Sequence, residues 1–144
     1  NKRMITASTN TDWPRMAEIW ESAVRATHDF LSAEDFEYYK ARIMTYFGQV
    51  NSYLYKTTDG ITAGFIGIAD GNIEMLFVDN DFRGKGIGSQ LVAFAVEELG
   101  ANKVDVNEQN HLATGFYIRM GFRIVGRSPQ DGDGKDYPLL HMRI

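Results

Sequence analysis

Apolar residues recur at helical spacing near the start of the chain and predict a first helix. One face of this helix is formed by Trp13, Met16, Trp20, Ala23 and Thr27, at steps of three and four residues. Asn10 or Thr11 is expected to cap the helix and Pro14 to open it, because proline is tolerated in the first turn. A short strand over residues 2–7 is expected to precede it.

A second helix is predicted after a break near His28. Ser32, with Asp35 three residues later, has the spacing of a capping pair at the start of a helix. This helix is expected to run to about Phe47 and to end at Gly48. The two helices are therefore joined by a short polar junction.

The middle of the chain is rich in β-branched and aromatic residues and predicts three strands in series. Residues 52–57 and 61–69 are separated by the turn pair Asp59-Gly60, which is typical of a β-hairpin. A second turn over residues 70–72 leads into the short apolar strand 73–78. We expect these three strands to be antiparallel.

The pattern changes after residue 78, where a polar loop and a glycine cluster precede another helix. Its apolar positions are Ile87, Leu91, Phe94, Ala95 and Leu99, and Gly100 ends it. Residues 103–106 predict a strand, and Asn110 is expected to cap a helix that reaches Met120. Residues 122–126 and 137–142 predict the last two strands.

The resulting order of elements, β-α-α-β-β-β-α-β-α-β-β, predicts an α/β fold in a single domain over residues 1–144. A parallel pair of strands needs a crossover, and the helix between residues 78 and 103 provides one. We therefore expect a mixed sheet of about six or seven strands flanked by about four helices.

Composition excludes several classes of function. The chain has 144 residues, and 24% of them are charged. Its net charge is -4, and it contains no cysteine. Without cysteine there is no cysteinyl acyl-enzyme, no cysteine-ligated zinc and no disulfide framework, so a cytoplasmic protein is expected. The chain has no run of like charges, so a nucleic-acid-binding surface is not expected. No apolar stretch reaches the roughly 20 residues of a membrane span. His111 and His141 have no partners at metal-ligand spacing and are interpreted as structural.

The segment between strand 73–78 and the next helix has the chemistry of an anion site. It consists of Arg83-Gly84-Lys85-Gly86-Ile87-Gly88. Glycines there allow a tight turn, and amide N–H groups at a helix start converge on one point, which suits a phosphate or pyrophosphate. The dinucleotide spacing fails because Ser89 or Leu91 stands where a third glycine is required, and Asp79 breaks the Walker spacing. NAD and ATP are therefore disfavoured.

Two motifs in this region closely resemble those of the GNAT superfamily of acetyltransferases. The acetyl-coenzyme A motif of that family is matched by Arg83, Gly86 and Gly88. A second family signature is matched by Asn110, Ala113, Tyr117, Gly121 and Phe122. Two ordered motifs at the family's separation are more specific than either alone. The resemblance implies the GNAT fold, acetyl-coenzyme A as co-substrate without a metal, and direct transfer of acetyl to an amine.

The resemblance also implies where the cofactor binds. The pyrophosphate of coenzyme A is expected on the loop formed by Arg83, Gly84, Lys85, Gly86, Ile87, Gly88 and Ser89. The pantetheine arm is expected along Leu76, Phe77 and Val78, in contact with Asn110, Ala113 and Tyr117. The strand over residues 103–106 is expected to splay away and leave a gap for the thioester. There the backbone N–H of Phe77 or Val78 is expected to stabilise the oxyanion.

Acetyl transfer to an amine needs a base for the amine and an acid for the departing thiolate. A lysine-like amine has a pKa of about 10.4, so it must lose a proton before it can attack at neutral pH. A thiol has a pKa of about 8.5, so the departing thiolate gains a proton. By the resemblance, Tyr117 donates the proton to sulfur. Asp105 and Glu74 are alternative bases that could act through one water, and Glu108 is a third. The sequence leaves this choice open.

The acceptor side is the part of the site that the sequence determines least. His28 and Asp29, at the junction of the first two helices, are candidate contacts to the acceptor, as are Tyr137 and Asp136 after the polar loop. The acceptor is expected to be a small-molecule amine, a protein N-terminus or a lysine, and the protein a monomer or homodimer. The alternative function is a coenzyme A-binding regulatory module without transferase activity.

Overall fold

The helices and strands follow the order expected from the sequence. The structure is a computed structural model that describes residues 4–144. Its strands are β1 Ile5–Ala7, β2 Asn51–Lys56, β3 Thr62–Ala69, β4 Asn72–Val78, β5 Lys103–Asn107, β6 Arg123–Ser128 and β7 Leu139–Arg143. Its helices are α1 Trp13–Thr27, α2 Ala33–Phe47, α3 Ile87–Leu99 and α4 His111–Arg119, with short 3-10 turns at Asn10–Asp12 and Asn80–Phe82.

A seven-stranded mixed sheet runs in the order β1-β2-β3-β4-β5-β7-β6. β4 and β5 are parallel, and the other neighbouring strands of the described chain are antiparallel. α1 and α2 pack on one face, around a core that includes Trp20, Phe47 and Phe65. α3 packs on the opposite face, around a core that includes Leu91 and Val104. The predicted α/β architecture is confirmed.

The site depends on the point where β4 and β5 separate. Their ladder holds two residue pairs and ends at Ile73 with Val104, although both strands continue beyond it. On its other edge β4 contains a bulge: Ile73 and Met75 pair with consecutive residues of β3, so Glu74 is an extra residue. A bulge bends its strand and is common beside active sites. Bulge and separation coincide, and a gap opens between β4 and β5.

The start of α1 differs from the prediction. The helix begins at Trp13 behind a 3-10 turn, and the backbone N–H of Thr9 donates to Asp12 Oδ2 at 2.8 Å. The expected caps, Asn10 and Thr11, were wrong, because the 3-10 turn that contains them places Asp12, its last residue, at the N-cap of α1.

The bounds of the first and last strands also differ from those predicted. The structure describes β1 from Ile5, and positions 2 and 3 of the predicted strand lie outside the described residues. β7 begins at Leu139 rather than at Tyr137, because the Tyr137 N–H bonds the carbonyl of Lys135 within the preceding loop. Pro138, between them, has no N–H to give to a ladder.

Candidate active site

The gap between β4 and β5 is a cavity of about 290 Å³, which we name the β4–β5 cleft. Its walls are residues 73–78 of β4 and residues 104–107 of β5. The remaining lining residues are Ala23, Thr27 and His28 at the end of α1, Arg83, and Asn110, Leu112, Ala113 and Tyr117 from α4 and its cap. Leu76, Phe77 and Val78 thus lie on the wall predicted for the pantetheine arm. Because the ladder has ended, this edge of β4 offers backbone groups to an extended ligand.

The glycine loop places unpaired amides at the start of α3. Gly84 and Gly86 have φ of 78° and 76°, in the left-handed region that favours glycine, and Gly86 is the N-cap of α3. Within the described chain, the N–H groups of residues 84–89 have no protein acceptor. A Cβ on Gly84 would meet nothing within 4 Å, and the Ile87 side chain faces the core. The loop is therefore an open cradle for an anion.

Two cations flank this cradle. Arg83 lines the β4–β5 cleft, and its guanidinium approaches the side chain of Asn80. The Lys85 ammonium lies 5.7 Å from the centre of the Phe82 ring. Arg83, Lys85 and Ser89 are all exposed, so their polar groups are available to phosphate oxygens.

A buried carboxylate anchors the start of this loop to α1, and sequence reasoning missed it. Asp79 accepts from Arg15 Nη2 at 2.9 Å and from Ser22 Oγ at 3.2 Å, and Ser22 Oγ accepts from the Asn80 N–H at 3.0 Å. Burial acts to raise the pKa of Asp79, but bonds from the Asp81 N–H, Arg15 and Ser22 outweigh it and lower that pKa. Its position just before the glycine loop was the one signal available.

Tyr117 lies on the buried face of α4 and lines the cleft. Its ring contacts Phe116 and Phe122 edge-on, with 5.0 and 5.5 Å between ring centres. Burial raises the pKa of Tyr117, so the phenol stays protonated at neutral pH. Phe116 in turn packs under α3, where its Cζ lies 3.6 Å from a Cβ placed on Gly88. A protonated donor is thus held rigidly at the cleft.

Asn110 is the N-cap of α4, as expected. Its Oδ1 accepts from the N–H of Ala113 at 3.1 Å, and both residues line the cleft. Capping uses the amide oxygen and leaves the NH₂ group of Asn110 as a donor to a ligand.

The candidate bases on the strands already have hydrogen-bond partners. Asp105 Oδ1 lies 2.6 Å from His141 Nδ1, and His141 Nε2 lies 2.6 Å from Ser128 Oγ. Glu74 accepts a hydrogen bond from the side-chain amide of Asn72. Both carboxylates line the β4–β5 cleft. His141 itself does not line that cleft, and its bonds to Asp105 and Ser128 are consistent with the structural role expected from the sequence.

Glu108 lies away from the cleft. Its carboxylate pairs with Arg127, whose hydrogen bond lowers the pKa of Glu108. Neither Glu108 nor the exposed His111 lines the β4–β5 cleft. An ion-paired surface carboxylate at that position is poorly placed to take a proton from an acceptor in the cleft.

A second cavity, of about 250 Å³, lies between the sheet and the first two helices, and we name it the α2 pocket. Its apolar walls include Trp20, Val24, Phe30, Leu31, Ile43 and Leu139. Its polar lining consists of Tyr39, Tyr46, Asp131 and Tyr137, besides shared residues. The residues that it shares with the β4–β5 cleft are His28, Glu74, Met75, Phe77 and Asn107. The two cavities therefore meet at the bulge of β4.

The loop over residues 129–138 is held against α2 by three tyrosine–carboxylate hydrogen bonds. The pairs are Tyr39 with Asp131, Tyr46 with Asp133, and Tyr137 with Asp35. Burial, and then the carboxylate partner, raises the pKa of Tyr39 and of Tyr46. Both hydroxyls therefore stay protonated donors. Sequence reasoning missed these two tyrosines, whose signal was their position about two turns apart on one helix.

The predicted acceptor residues are only partly brought together. His28 lies where the two cavities meet, and Tyr137 lines the α2 pocket. Asp29 is exposed and lines neither cavity, and Asp136 instead accepts from Gln130 Nε2 at 2.9 Å. The positions of these two carboxylates give no support to a contact with the acceptor.

Comparison with known families decides what this arrangement is. The acetyltransferase (GNAT) domain matches residues 17–144 of the chain. The chain belongs to the GNAT family. Among the relatives of this GNAT protein is YjaB of Salmonella typhimurium, a peptidyl-lysine N-acetyltransferase. It is 36% identical over 138 residues, covering 96% of this chain and 95% of the relative.

Solved structures agree with this assignment. The solution structure of apo-form YjaB from Escherichia coli has a TM-score of 0.89 at 34% identity, over 96% of this chain and 95% of that one. yncA from Salmonella typhimurium, solved with acetyl-CoA, has a TM-score of 0.67 at 19% identity, over 100% and 94%, and shows the fold alone. This GNAT protein is an acetyl-CoA-dependent N-acetyltransferase, and a binding module without activity is not favoured.

The cleft of this GNAT protein fits its co-substrate. The unpaired amides of residues 84–89 and the open space before Gly84 can take a pyrophosphate, and the free edge of β4 can take an extended arm. Within residues 4–144, no group of three or more His, Asp or Glu side chains is arranged to hold a metal ion. No helix in the same range combines the length and apolar character of a membrane span.

Proposed function

We propose that this GNAT protein acetylates lysine side chains of proteins, by direct transfer from acetyl-CoA. The observation that carries the proposal is the meeting of the β4–β5 cleft and the α2 pocket at Glu74. One cavity has room for the thioester and the other for the amine, so both reactants reach the same point. The peptidyl-lysine N-acetyltransferase among its relatives supports lysine as the acceptor.

The lining of the α2 pocket suits a lysine side chain. Apolar walls such as Trp20, Met75 and Phe77 match its four-carbon stem. The carboxylates of Glu74 and Asp131 also line the pocket and attract its ammonium group. An acceptor with an apolar stem and a cationic end therefore complements both parts of the lining.

Coenzyme A is proposed to bind mainly to the backbone. The N–H groups of residues 84–89 bind the pyrophosphate, and Arg83 and Lys85 add charge-assisted hydrogen bonds. The pantetheine arm follows residues 76–78 of β4, with Asn110 and Ala113 on the α4 side of the cleft. This placement carries the thioester to the bulge.

Tyr117 is proposed as the acid of the reaction. When the neutral amine attacks the thioester, a C–N bond forms and the C–S bond breaks, and the departing thiolate takes the hydroxyl proton of Tyr117. The backbone N–H of Phe77 or Val78 stabilises the oxyanion in between. The phenol is protonated at neutral pH, so it has a proton to give.

Replacing Tyr117 with Phe tests this assignment. We expect turnover of a lysine peptide to fall at least about tenfold, because the ring packing stays and the proton donor is lost. The affinity for acetyl-CoA, measured by calorimetry, is expected to stay within about twofold. Release of free thiol reports turnover, and mass spectrometry locates the acetyl-lysine.

Tyr53→Phe is the matched control, because Tyr53 packs on Phe94 away from the cleft. It is expected to keep wild-type turnover. Equal turnover in Tyr117→Phe and wild type would contradict the assignment of Tyr117 as the acid. Thiol release with small amines, but none with any lysine peptide of a panel, would contradict the lysine acceptor.

The remaining expectations from the sequence stand beside this proposal as predictions. They are a single domain over residues 1–144, a cytoplasmic location that rests on the absence of cysteine, a monomer or homodimer, and no nucleic-acid partner. Size-exclusion chromatography with light scattering tests the oligomeric state.

A further inference from the structure

We propose that His28 is the catalytic base, and that its Nε2 takes the proton from the acceptor ammonium. This inference rests on the proposed acetylation of lysine and names the group that makes the amine reactive. His28 follows the last residue of α1 and lines both the β4–β5 cleft and the α2 pocket. Its ring therefore lies between the place for the thioester and the place for the amine.

The hydrogen bonds around His28 determine which ring nitrogen is free. Thr27 Oγ1 donates its proton to the carbonyl of Ala23 at 2.8 Å. His28 Nδ1 lies 2.7 Å from the same oxygen. Both contacts are hydrogen bonds only if Nδ1 is the donor of the second, so we assign the proton to Nδ1, and Nε2 of the neutral ring then carries the lone pair. Within residues 4–144, Nε2 has no hydrogen-bond partner.

Burial keeps the ring in its neutral form. It lowers the pKa of His28 below the ordinary value of 6.5, and the charge of Asp29 opposes this only partly. The charged groups that line the two cavities around His28 are Glu74, Arg83, Asp105 and Asp131. The other titratable groups are the hydroxyls of Tyr39, Tyr46, Tyr117 and Tyr137. A neutral imidazole at pH 7 accepts a proton, whereas an imidazolium does not.

The carboxylates at the cleft are less suited to the same task. Asp105 lines the β4–β5 cleft but not the α2 pocket, and its Oδ1 is already bonded to His141. Glu74 lines both cavities but accepts from Asn72. Among the residues shared by the two cavities, His28 alone presents an unpartnered basic nitrogen. Glu74 is left to attract the ammonium.

Each proton in the proposed reaction has a donor and an acceptor. Nε2 takes one proton from the ammonium, and the neutral amine forms the C–N bond. As the C–S bond breaks, the Tyr117 proton goes to sulfur, and the second proton lost by the nitrogen restores the Tyr117 hydroxyl. The imidazolium of His28 then loses its proton to solvent, so the products are the amide, free coenzyme A and one proton.

His28→Asn is the first test, because an amide can still donate to Thr27 but cannot act as a base. With saturating acetyl-CoA and lysine peptide, we expect kcat at pH 7.5 to fall at least about tenfold, with KM for acetyl-CoA unchanged. In the wild type, kcat is expected to fall as the pH drops through the lowered pKa of His28, because the protonated ring cannot accept a proton. This acid limb should be absent from the variant. A variant with wild-type kcat, or with the same acid limb, overturns the proposal.

A second acceptor separates base catalysis from packing. A peptide with an aminooxy group in place of the lysine amine is already neutral at the assay pH and needs no base. We expect the His28→Asn defect to shrink to about threefold or less with this acceptor. An equal defect with both acceptors would mean that His28 acts through packing, and overturns the proposal. His111→Asn, at an exposed histidine outside both cavities, is the matched control.

The tautomer can be tested without removing the ring. Thr27→Val removes the acceptor for Nδ1, and we expect kcat to fall about threefold to tenfold, whereas Thr27→Ser keeps the hydroxyl and wild-type kcat. Wild-type kcat in both variants overturns the role of Thr27 as a positioning residue. If the wild type itself acetylates no lysine peptide, the proposed function fails. If the wild type acetylates a lysine peptide and His28→Asn is equally active, only the assignment of His28 as the base fails.

Discussion

The two cavities beside β4 present different kinds of chemical group. The β4–β5 cleft presents backbone: the unpaired N–H groups of residues 84–89 and the strand edge beyond Ile73. The α2 pocket presents side chains: aromatic walls and tyrosine–carboxylate pairs contributed by α2 and the loop 129–138. Backbone groups suit a cofactor that never changes, whereas side chains can be exchanged to select an acceptor.

This contrast implies two kinds of sensitivity. Cofactor binding should depend on backbone conformation and on whatever holds the loop in place. Acceptor binding should depend on single polar groups. The variants below act on one cavity each and are ordered by the size of the expected effect.

Gly86→Val is expected to have the largest effect. At φ of 76° a branched side chain strains the backbone, and it adds bulk beside the amides that we propose bind the pyrophosphate. Loss of two charge-assisted hydrogen bonds weakens binding on the order of 100-fold. Calorimetry with coenzyme A measures the Kd.

Gly60→Val is the matched control for this variant. Gly60 has φ of 81° and open space around it, but it lies in the β2–β3 turn. It carries the same backbone strain, so its stability should fall similarly while the Kd stays at the wild-type value. An equal loss of affinity in both variants would attribute the effect to strain alone.

Arg15→Met is expected to weaken coenzyme A binding by roughly tenfold. Arg15 does not line the cleft, but it pairs with Asp79 and so holds the start of the glycine loop to α1. Arg25→Met, on the same helix and paired with Glu21 at the surface, should leave the Kd unchanged. Unchanged affinity in Arg15→Met would show that the ion pair with Asp79 does not position the glycine loop for coenzyme A.

Tyr39→Phe is expected to have the smallest effect. Loss of its bond to Asp131 should raise KM for the lysine peptide by about threefold and leave the Kd of coenzyme A unchanged. Tyr38→Phe is the control, since Tyr38 lies outside the α2 pocket, against Arg42 and Lys135. A change in cofactor affinity without a change in KM would break the division between the two cavities.

Most of the fold was predictable because its signals are local. The pair Ser32 and Asp35 predicted the start of α2, where Ser32 Oγ accepts from the Asp35 N–H at 3.1 Å. Gly100, at φ of 71°, ends α3 as expected. The start of α1 was missed because several capping residues follow one another there. Local propensity does not choose among neighbours of similar strength.

The two halves of the site differ in the same way. The glycine loop is one contiguous segment, so its tight turn before α3 was predictable from composition and position. The α2 pocket is assembled from distant segments, and Tyr39 meets a carboxylate 92 positions away. The free nitrogen of His28 depends on a hydrogen bond between Thr27 and Ala23. Such juxtapositions follow from packing and leave no pattern along the chain.

The bulge at Glu74 separates what the protein needs to fold from what it needs to work. Ile73 belongs to the core under α3, and Met75 packs with the core under α1 and α2. Adjacent residues of a regular strand already point to opposite faces, so a β4 without Glu74 would keep both side chains in their cores. The extra residue contributes nothing that the hydrophobic interior requires. Selection for stability alone would favour a regular β4 that pairs with β5 beyond Ile73. The bulge therefore coincides with a gap that costs the sheet hydrogen bonds between these two strands.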